Sequence, residues 1–173
     1  MRTGAELIGK PVIGITDGRK IGDVKDLYLD QTLKKVICIN IGQVGLLGRK
    51  AQLIRREDVM VFGIDSILTK DSDVIIESGK EVDISNMIRR ESLRGRDVFT
   101  VGETRVGKIQ DVILDDELHI IGFELGRIYV EGPIADRGTI ARVALLDTQP
   151  VDENLIIDFS IAEDQDLGVV ANT

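Results

Sequence analysis

A ten-residue segment occurs twice in this chain, and the duplication limits the fold more than any other feature. Residues 21–30, Ile-Gly-Asp-Val-Lys-Asp-Leu-Tyr-Leu-Asp, return in altered form as residues 106–115, Val-Gly-Lys-Ile-Gln-Asp-Val-Ile-Leu-Asp. Three pairs of glycines keep nearly the same separation: Gly9 and Gly95 are 86 residues apart, Gly22 and Gly107 are 85 apart, and Gly42 and Gly126 are 84 apart. The small drift falls in turns, where changes of length cost least. A fixed period of this kind predicts one folding unit built twice.

The period divides the 173 residues into two units and a connection. We expect a first barrel over residues 1–80, a linker over 81–91 and a second barrel over 92–161. Units of about 80 to 90 residues are large enough to fold around a modest core. Residues 162–173 begin with acidic side chains and show no periodicity, so we expect a disordered tail.

Composition and alternation favour strands. Ile and Val together number 41 against 16 Leu, and β-branched side chains suit a pleated, half-buried surface. Residues 42–50 and 126–138, rich in glycine, are predicted loops, and 55–58 a helical turn. The predicted strands cover residues 10–16, 21–30, 35–41, 51–54, 59–64 and 67–70, then 97–101, 106–115, 120–125, 139–146 and 155–160. Five to six short strands in each unit predict an all-β fold of two tandem small antiparallel β-barrels.

Several classes of protein and of site are disfavoured. No apolar run reaches the roughly 20 residues that span a bilayer, and the N-terminus has no signal-peptide core, so we expect a cytoplasmic protein with no integral membrane segment. Cys38 is the only cysteine, which rules out an intramolecular disulfide and a metal site built on cysteines. His119 is the only histidine. The net charge of −8 argues against binding of nucleic acid by the whole surface.

The order of the motifs resembles the PRC-barrel family. In each half, Leu-x-Gly-x-x-Val precedes a turn and then Ile/Val-Gly-x-Ile/Val-x-Asp-Leu/Val-x-Leu-Asp; residues 53–68 are similar to the family's closing strands. Relatives in that family include the cytoplasmic part of the photosynthetic reaction-centre H subunit and a ribosome-maturation factor. The resemblance covers most of residues 4–70 and 92–160. It implies a six-stranded barrel in each half, a role in assembly or partner recognition, and no catalytic activity.

Two aspartates, Asp26 and Asp111, occupy corresponding places beside apolar neighbours in the two copies. A partly buried carboxylate must be hydrogen-bonded or paired, so we interpret both as structural groups that fasten a loop through backbone N–H donors. The alternative of a general base needs a second catalytic group, and the sequence offers none. Structural roles are also expected for the repeated glycines Gly9, Gly22, Gly95 and Gly107.

Two sets of residues are candidates for an interaction surface. Leu46 and Leu47 lie in a glycine-flanked loop within residues 44–47, and residues 128–134 form the corresponding loop of the second half. Arginines cluster near the junction at Arg89, Arg90, Arg94 and Arg96. This cluster could bind RNA, but a solvated or salt-bridged surface is the preferred interpretation because few aromatic side chains are available for stacking.

These features predict a non-catalytic protein-interaction or assembly module. No catalytic residue, metal ligand or cofactor site is expected: Asp115, Asp116 and Glu117 lack the pattern of a calcium loop, and no phosphate-binding glycine motif is present. The partner would be another protein, or a second copy in a homo-oligomer. One alternative is a factor in RNA metabolism or ribosome maturation, and another is a peripheral accessory of a membrane complex of the photosynthetic type.

Overall fold

A computed structural model describes residues 1–146 and 154–167. Strands predominate in these residues, which confirms the all-β prediction. The strands are β1 Arg2–Thr3, β2 Pro11–Gly14, β3 Lys20–Asp23, β4 Asp26–Leu29, β5 Val36–Val44, β6 Lys50–Arg55, β7 Val59–Phe62, β8 Ile67–Thr69, β9 Ile76–Glu77, β10 Ile88–Arg89, β11 Asp97–Thr100, β12 Arg105–Leu114, β13 Ile120–Ile128, β14 Thr139–Ala141 and β15 Leu155–Ile157. The helices are α1 Arg90–Leu93, α2 Pro133–Arg137 and α3 Phe159–Asp164, with 3-10 turns at Leu46–Gly48, Arg56–Asp58, Ser72–Val74 and Arg142–Ala144.

The chain forms two compact units that are interleaved in sequence. The first unit comprises Ala5–Asp30 and Val36–Arg89. The second unit comprises Met1–Gly4, Gln31–Lys35 and the described residues from Arg90 onward. The sequence predicts two consecutive blocks. A repeat period locates the copies of a motif, but it does not show which copy the short segment before each motif, its lead-in segment, packs against.

The first unit contains two sheets. Strand order is β10-β4-β5-β6-β9 in one and β3-β2-β8-β7 in the other. Pairing is antiparallel except between β2 and β8, where Val12 lies opposite Ile67. Alternating aliphatic side chains from both sheets fill the core, and Leu27, Ile39 and Leu53 are fully buried. The hairpin of β7 and β8 that the sequence predicts is present.

The second unit repeats this topology in one larger sheet. Its strand order is β14-β13-β12-β11-β15, with β1 added against β12. The parallel pair of the first unit recurs between β11 and β15, where Val98 lies opposite Leu155. Phe123, Leu114 and Leu118 are among its largest fully buried side chains.

Each unit includes the lead-in strand of the other repeat. β10, which precedes the second copy of the motif, pairs with β4 of the first unit, so that Ile88 lies opposite Leu29. β1, which precedes the first copy, pairs with β12 of the second unit, so that Arg2 lies opposite Leu114. The two registers are equivalent, because both strands and partners are related by the repeat. The turn Gln31–Lys35 joins the second unit too, where the Ile120 N–H donates to the Lys34 carbonyl at 2.8 Å.

The predicted long second strand differs between the copies. In the first unit it is divided into β3 and β4 by Val24 and Lys25, whose N–H groups donate to the Lys10 and Asn40 carbonyls. In the second unit β12 is continuous, with register shifts on both sides of Ile109. A bulge that redirects a strand explains why apolar side chains occur on both of its faces.

Several predicted strand boundaries are wrong. β5 reaches Val44 and β13 reaches Ile128, so the glycine-rich segments start as paired strands. Residues 139–146 form a strand only as far as Ala141, and the strand from Leu155 ends at Ile157. Residues 162–164 complete α3, which is capped by Asp158 through the Ile161 N–H at 3.1 Å, and Leu167 is buried. The rest of the predicted tail, residues 168–173, and most of the predicted turn at 150–154 lie outside the described residues.

In residues 1–146 and 154–167, no helix combines the length and the apolar character needed to cross a membrane.

Candidate functional site

The Asp111 carboxylate is fastened by a buried arginine at the start of α1. Arg90 donates from Nε to Oδ1 at 2.7 Å and from Nη2 to Oδ2 at 2.9 Å. The Val112 N–H also donates to Oδ1 at 2.8 Å. Only 2% of the Asp111 side chain and 6% of the Arg90 side chain are exposed, so this is a bidentate pair shielded from water.

Gly4, the residue after β1, packs against this pair. Its N–H donates to the Val112 carbonyl at 2.9 Å. A methyl group on Gly4 would lie 2.6 Å from Arg90 Nε and 2.9 Å from Asp111 Oδ1, so a larger residue cannot take the same position. The lead-in strand and the ion pair therefore depend on one another.

Asp26 has a related but more open arrangement. It accepts the Leu27 N–H at 2.8 Å on Oδ1 and Arg89 Nε at 2.8 Å on Oδ2. The Asp26 side chain is 4% exposed, whereas that of Arg89 is 54% exposed. Adjacent arginines thus hold corresponding carboxylates, Arg89 in the first unit and Arg90 in the second. Because their oxygens are engaged in these contacts, we propose a structural role for both aspartates.

The repeated glycines fall into two pairs with different structural reasons for a glycine. Gly9 and Gly95 have φ values of +84° and +82°, a left-handed conformation that side chains disfavour. Gly107 lies where a methyl group would be 2.6 Å from the Arg127 carbonyl oxygen, and Gly22 where it would be 3.1 Å from Ile41 Cβ. We propose that the first pair sets a turn and the second allows close approach of a neighbouring strand.

Arg90 was predicted to belong to an interaction surface with Arg89, Arg94 and Arg96. This is wrong for Arg90, because only 5% of the residue is exposed. The other three are engaged as well. Arg89 pairs with Asp26, Arg94 with Glu91 at 3.3 Å, and Arg96 donates to the Ser92 carbonyl at 2.8 Å. The junction arginines therefore make intramolecular contacts, and the sequence alone does not indicate which residues they contact.

Leu46 and Leu47 lie at the tip of the hairpin formed by β5 and β6, and 91% and 81% of them are exposed. Leu47 has a φ of +66°, in the left-handed region. The corresponding loop of the second unit is different: Ile134, in α2, is fully buried, so residues 128–134 do not form an apolar tip as predicted. Tyr129 in that loop is covered by the Arg105 guanidinium, 4.3 Å from the ring centroid.

An open cleft of about 670 Å³ lies beside the leucine tip. Its lining includes Arg49, Lys50 and Lys80 with Ser78, Asp83 and Ser85. Lys50 pairs with Glu77 at 3.1 Å. The Ser85 N–H donates to Asp83 Oδ1 at 2.8 Å, and the hydrogen bonds from Ser85 hold the pKa of Asp83 below its usual range. The cleft therefore presents more positive than negative side chains.

A second apolar surface was missed by the sequence analysis. Met60 and Val61 in β7 are 62% and 46% exposed, and Ile64 in the turn after it is 89% exposed. β7 ends the order β3-β2-β8-β7, so one side of this strand is an edge of its sheet. Apolar alternation identifies a strand but does not show whether it is central, which is why residues 59–64 were predicted only as a strand and not as a surface.

The remaining candidates for chemistry do not converge. Cys38 is fully buried, and burial raises the pKa of its thiol to about 11. His119 Nδ1 lies 3.0 Å from Asp115 Oδ2 at the surface. Within the two described ranges, no group of three or more His, Cys, Asp or Glu side chains is arranged to hold a metal ion.

The comparisons with known proteins give one family. A model of the PRC-barrel domain matches residues 1–83 and again residues 85–168. No curated protein matches the chain. The two matches together span nearly the whole sequence and place one copy on each repeat.

Proposed function

This chain belongs to the PRC-barrel domain family, and from that premise we propose that it is an assembly module that docks a protein partner through the edge strand β7. PRC-barrel domains are generally non-catalytic. The carboxylates with the strongest claim to chemistry, Asp26 and Asp111, are committed to arginines, which supports a module that acts through its surface.

The observation that carries the proposal is the exposure of apolar side chains along a sheet edge. Single exposed apolar residues are normal, but Met60, Val61 and Ile64 fall within five positions of one another. An edge strand also presents backbone N–H and C=O groups, so a partner segment can add a strand and gain hydrogen bonds as well as apolar contact. A second copy of this chain would supply such a segment through its own β7, in antiparallel pairing around a two-fold axis.

Replacement of Met60 and Val61 by Lys tests this function. Lysines on an edge strand oppose pairing with a like strand, so we expect light scattering with size-exclusion chromatography to report a smaller particle than for the unaltered chain. The change is expected to leave the melting temperature nearly unaltered, because both side chains are exposed.

The matched control is Val101→Lys, which alters a lone apolar side chain that is 71% exposed after β11. It should leave the particle size unchanged. A monomer for the unaltered chain at all concentrations would exclude self-association through β7, and an equal effect of Val101→Lys would exclude β7 as the contact.

The RNA-binding alternative has less support. Its leading surface was the junction cluster, and Arg90 is buried there while Arg94 and Arg96 bond to neighbouring carboxylate and carbonyl oxygens. Binding of RNA would require these contacts to be exchanged for phosphate contacts. The membrane-associated alternative is supported by a different part of the first unit, the hairpin tip that carries Leu46 and Leu47.

A further inference from the structure

The hairpin tip holds two adjacent leucines away from the core. Leu46 and Leu47 follow Gly45, which has a φ of +88°, and Leu47 itself has a φ of +66°. A leucine in the left-handed region costs roughly 1 to 2 kcal/mol. The two leucines adopt this conformation although it does not bury their side chains: 91% of Leu46 and 81% of Leu47 are exposed.

Two cations beside this tip have no partner among the described residues. Arg49 follows the leucines directly, and Lys80 lies across the adjoining cleft. A third, Lys50, is shared with Glu77, and Asp83 places one carboxylate in the same cleft. The lining of the cleft beside the tip therefore carries three cations and one carboxylate, with the Glu77 and Glu81 carboxylates next to it, although the whole chain carries −8.

We propose that this tip is a contact for an anionic lipid bilayer, in which Leu46 and Leu47 enter the headgroup and acyl boundary while Arg49 and Lys80 bind lipid phosphates. A protruding pair of leucines needs no pocket of matching shape in a bilayer, whereas a protein partner would have to supply one. Cations at the level of the headgroups add attraction to anionic lipids. The negative charges elsewhere on the protein are screened beyond a Debye length of about 8 Å at physiological ionic strength.

The contact is weak and reversible. One myristoyl chain gives only marginal membrane binding, and two leucines bury less hydrocarbon than that chain. The leucines supply the larger share, since only two cations have no competing partner at the site. This inference goes beyond the proposed docking of a protein through β7, because it rests on different residues and a different class of partner.

Sedimentation with phospholipid vesicles tests the contact in the full chain. We expect partition onto phosphatidylcholine vesicles that contain roughly 30% phosphatidylserine, and severalfold weaker partition onto phosphatidylcholine alone. Leu46→Ser with Leu47→Ser should lower the partition about tenfold, and Arg49→Gln with Lys80→Gln severalfold. The matched controls are Val101→Ser, an exposed apolar residue outside both the tip and β7, and Arg19→Gln, an exposed cation in the turn between β2 and β3; both should bind as the unaltered chain does.

Because the chain has no Trp, a single tryptophan can report insertion. Leu46→Trp should show a blue shift of fluorescence with the anionic vesicles, and Val101→Trp should not. The proposal is overturned if the unaltered chain fails to partition at physiological ionic strength, or if both tryptophans shift equally. It is also overturned if the leucine substitutions reduce the particle size of the protein alone and leave vesicle binding intact, since the tip would then be a protein contact.

Discussion

At the scale of single residues, the two copies share an aspartate but not the environment of its arginine. Correspondence in sequence was enough to single out Asp26 and Asp111 as groups that need partners. The correspondence could not identify the arginines that pair with these aspartates, because Arg89 is 63 residues from Asp26 and Arg90 is 21 residues from Asp111. Adjacent positions in the junction thus hold carboxylates of different units, which no period in the sequence indicates.

The difference in burial predicts unequal effects of two equivalent substitutions. Asp111→Ala leaves Arg90 buried without a countercharge, and breaking a buried pair in this way costs about 3 to 5 kcal/mol. Asp26→Ala leaves Arg89 able to reach water, so we expect a loss of about 1 kcal/mol. Urea unfolding followed by circular dichroism would measure both. Equal losses would contradict this account, and a double change of Asp111→Leu with Arg90→Met should recover part of the first loss.

At the scale of elements, alternation located most strands but not their ends. The strand cores around Leu27, Ile39 and Ile109 follow from apolar patterning. β5 extends through Gly42 to Val44 because Gln43 and Val44 pair with Ala51 and Lys50, and such pairing is set by the facing strand. The short β1 and β10 have too few residues for any pattern, so their exchange between units was beyond prediction.

Removal of residues 1–4 tests the exchange of β1. We expect the second unit to lose about 1 to 3 kcal/mol, because the Gly4 hydrogen bond to Val112 and the cover of the Arg90 and Asp111 pair disappear. Hydrogen exchange should accelerate at residues 111–114 of β12 and stay unchanged at residues 27–29 of β4. Removal of Met1 alone is the control. Faster exchange in β4 instead would show that β1 belongs with the first unit.

At the scale of the whole molecule, the segments of the two units alternate along the chain. The family and the all-β class were predictable because the repeat and its motifs are continuous in sequence. The interleaving was not, because it depends on the short segments Met1–Gly4 and Gln31–Lys35 and on β10. Each of these segments is held by residues far away along the chain.

Cleavage between the repeats distinguishes the two organisations. A protease site placed between the exposed residues Ser85 and Asn86 would leave β10 on the C-terminal fragment, although β10 pairs with β4. We expect the two fragments to elute together in size-exclusion chromatography and to separate only in denaturant. Independent units would separate on dilution in native buffer after the same cut.

The pairing of Arg2 with Leu114 and of Ile88 with Leu29 has a consequence for how the units are completed. A polypeptide with one copy of the motif that kept this exchange would have to pair its lead-in segment with the motif strand of a second molecule. Tethering makes that event intramolecular, at an effective concentration of order millimolar. Completion of both units then does not depend on the concentration of the protein in the cell. Either copy can also change its surface while the other copy still pairs with its exchanged strand, β1 or β10.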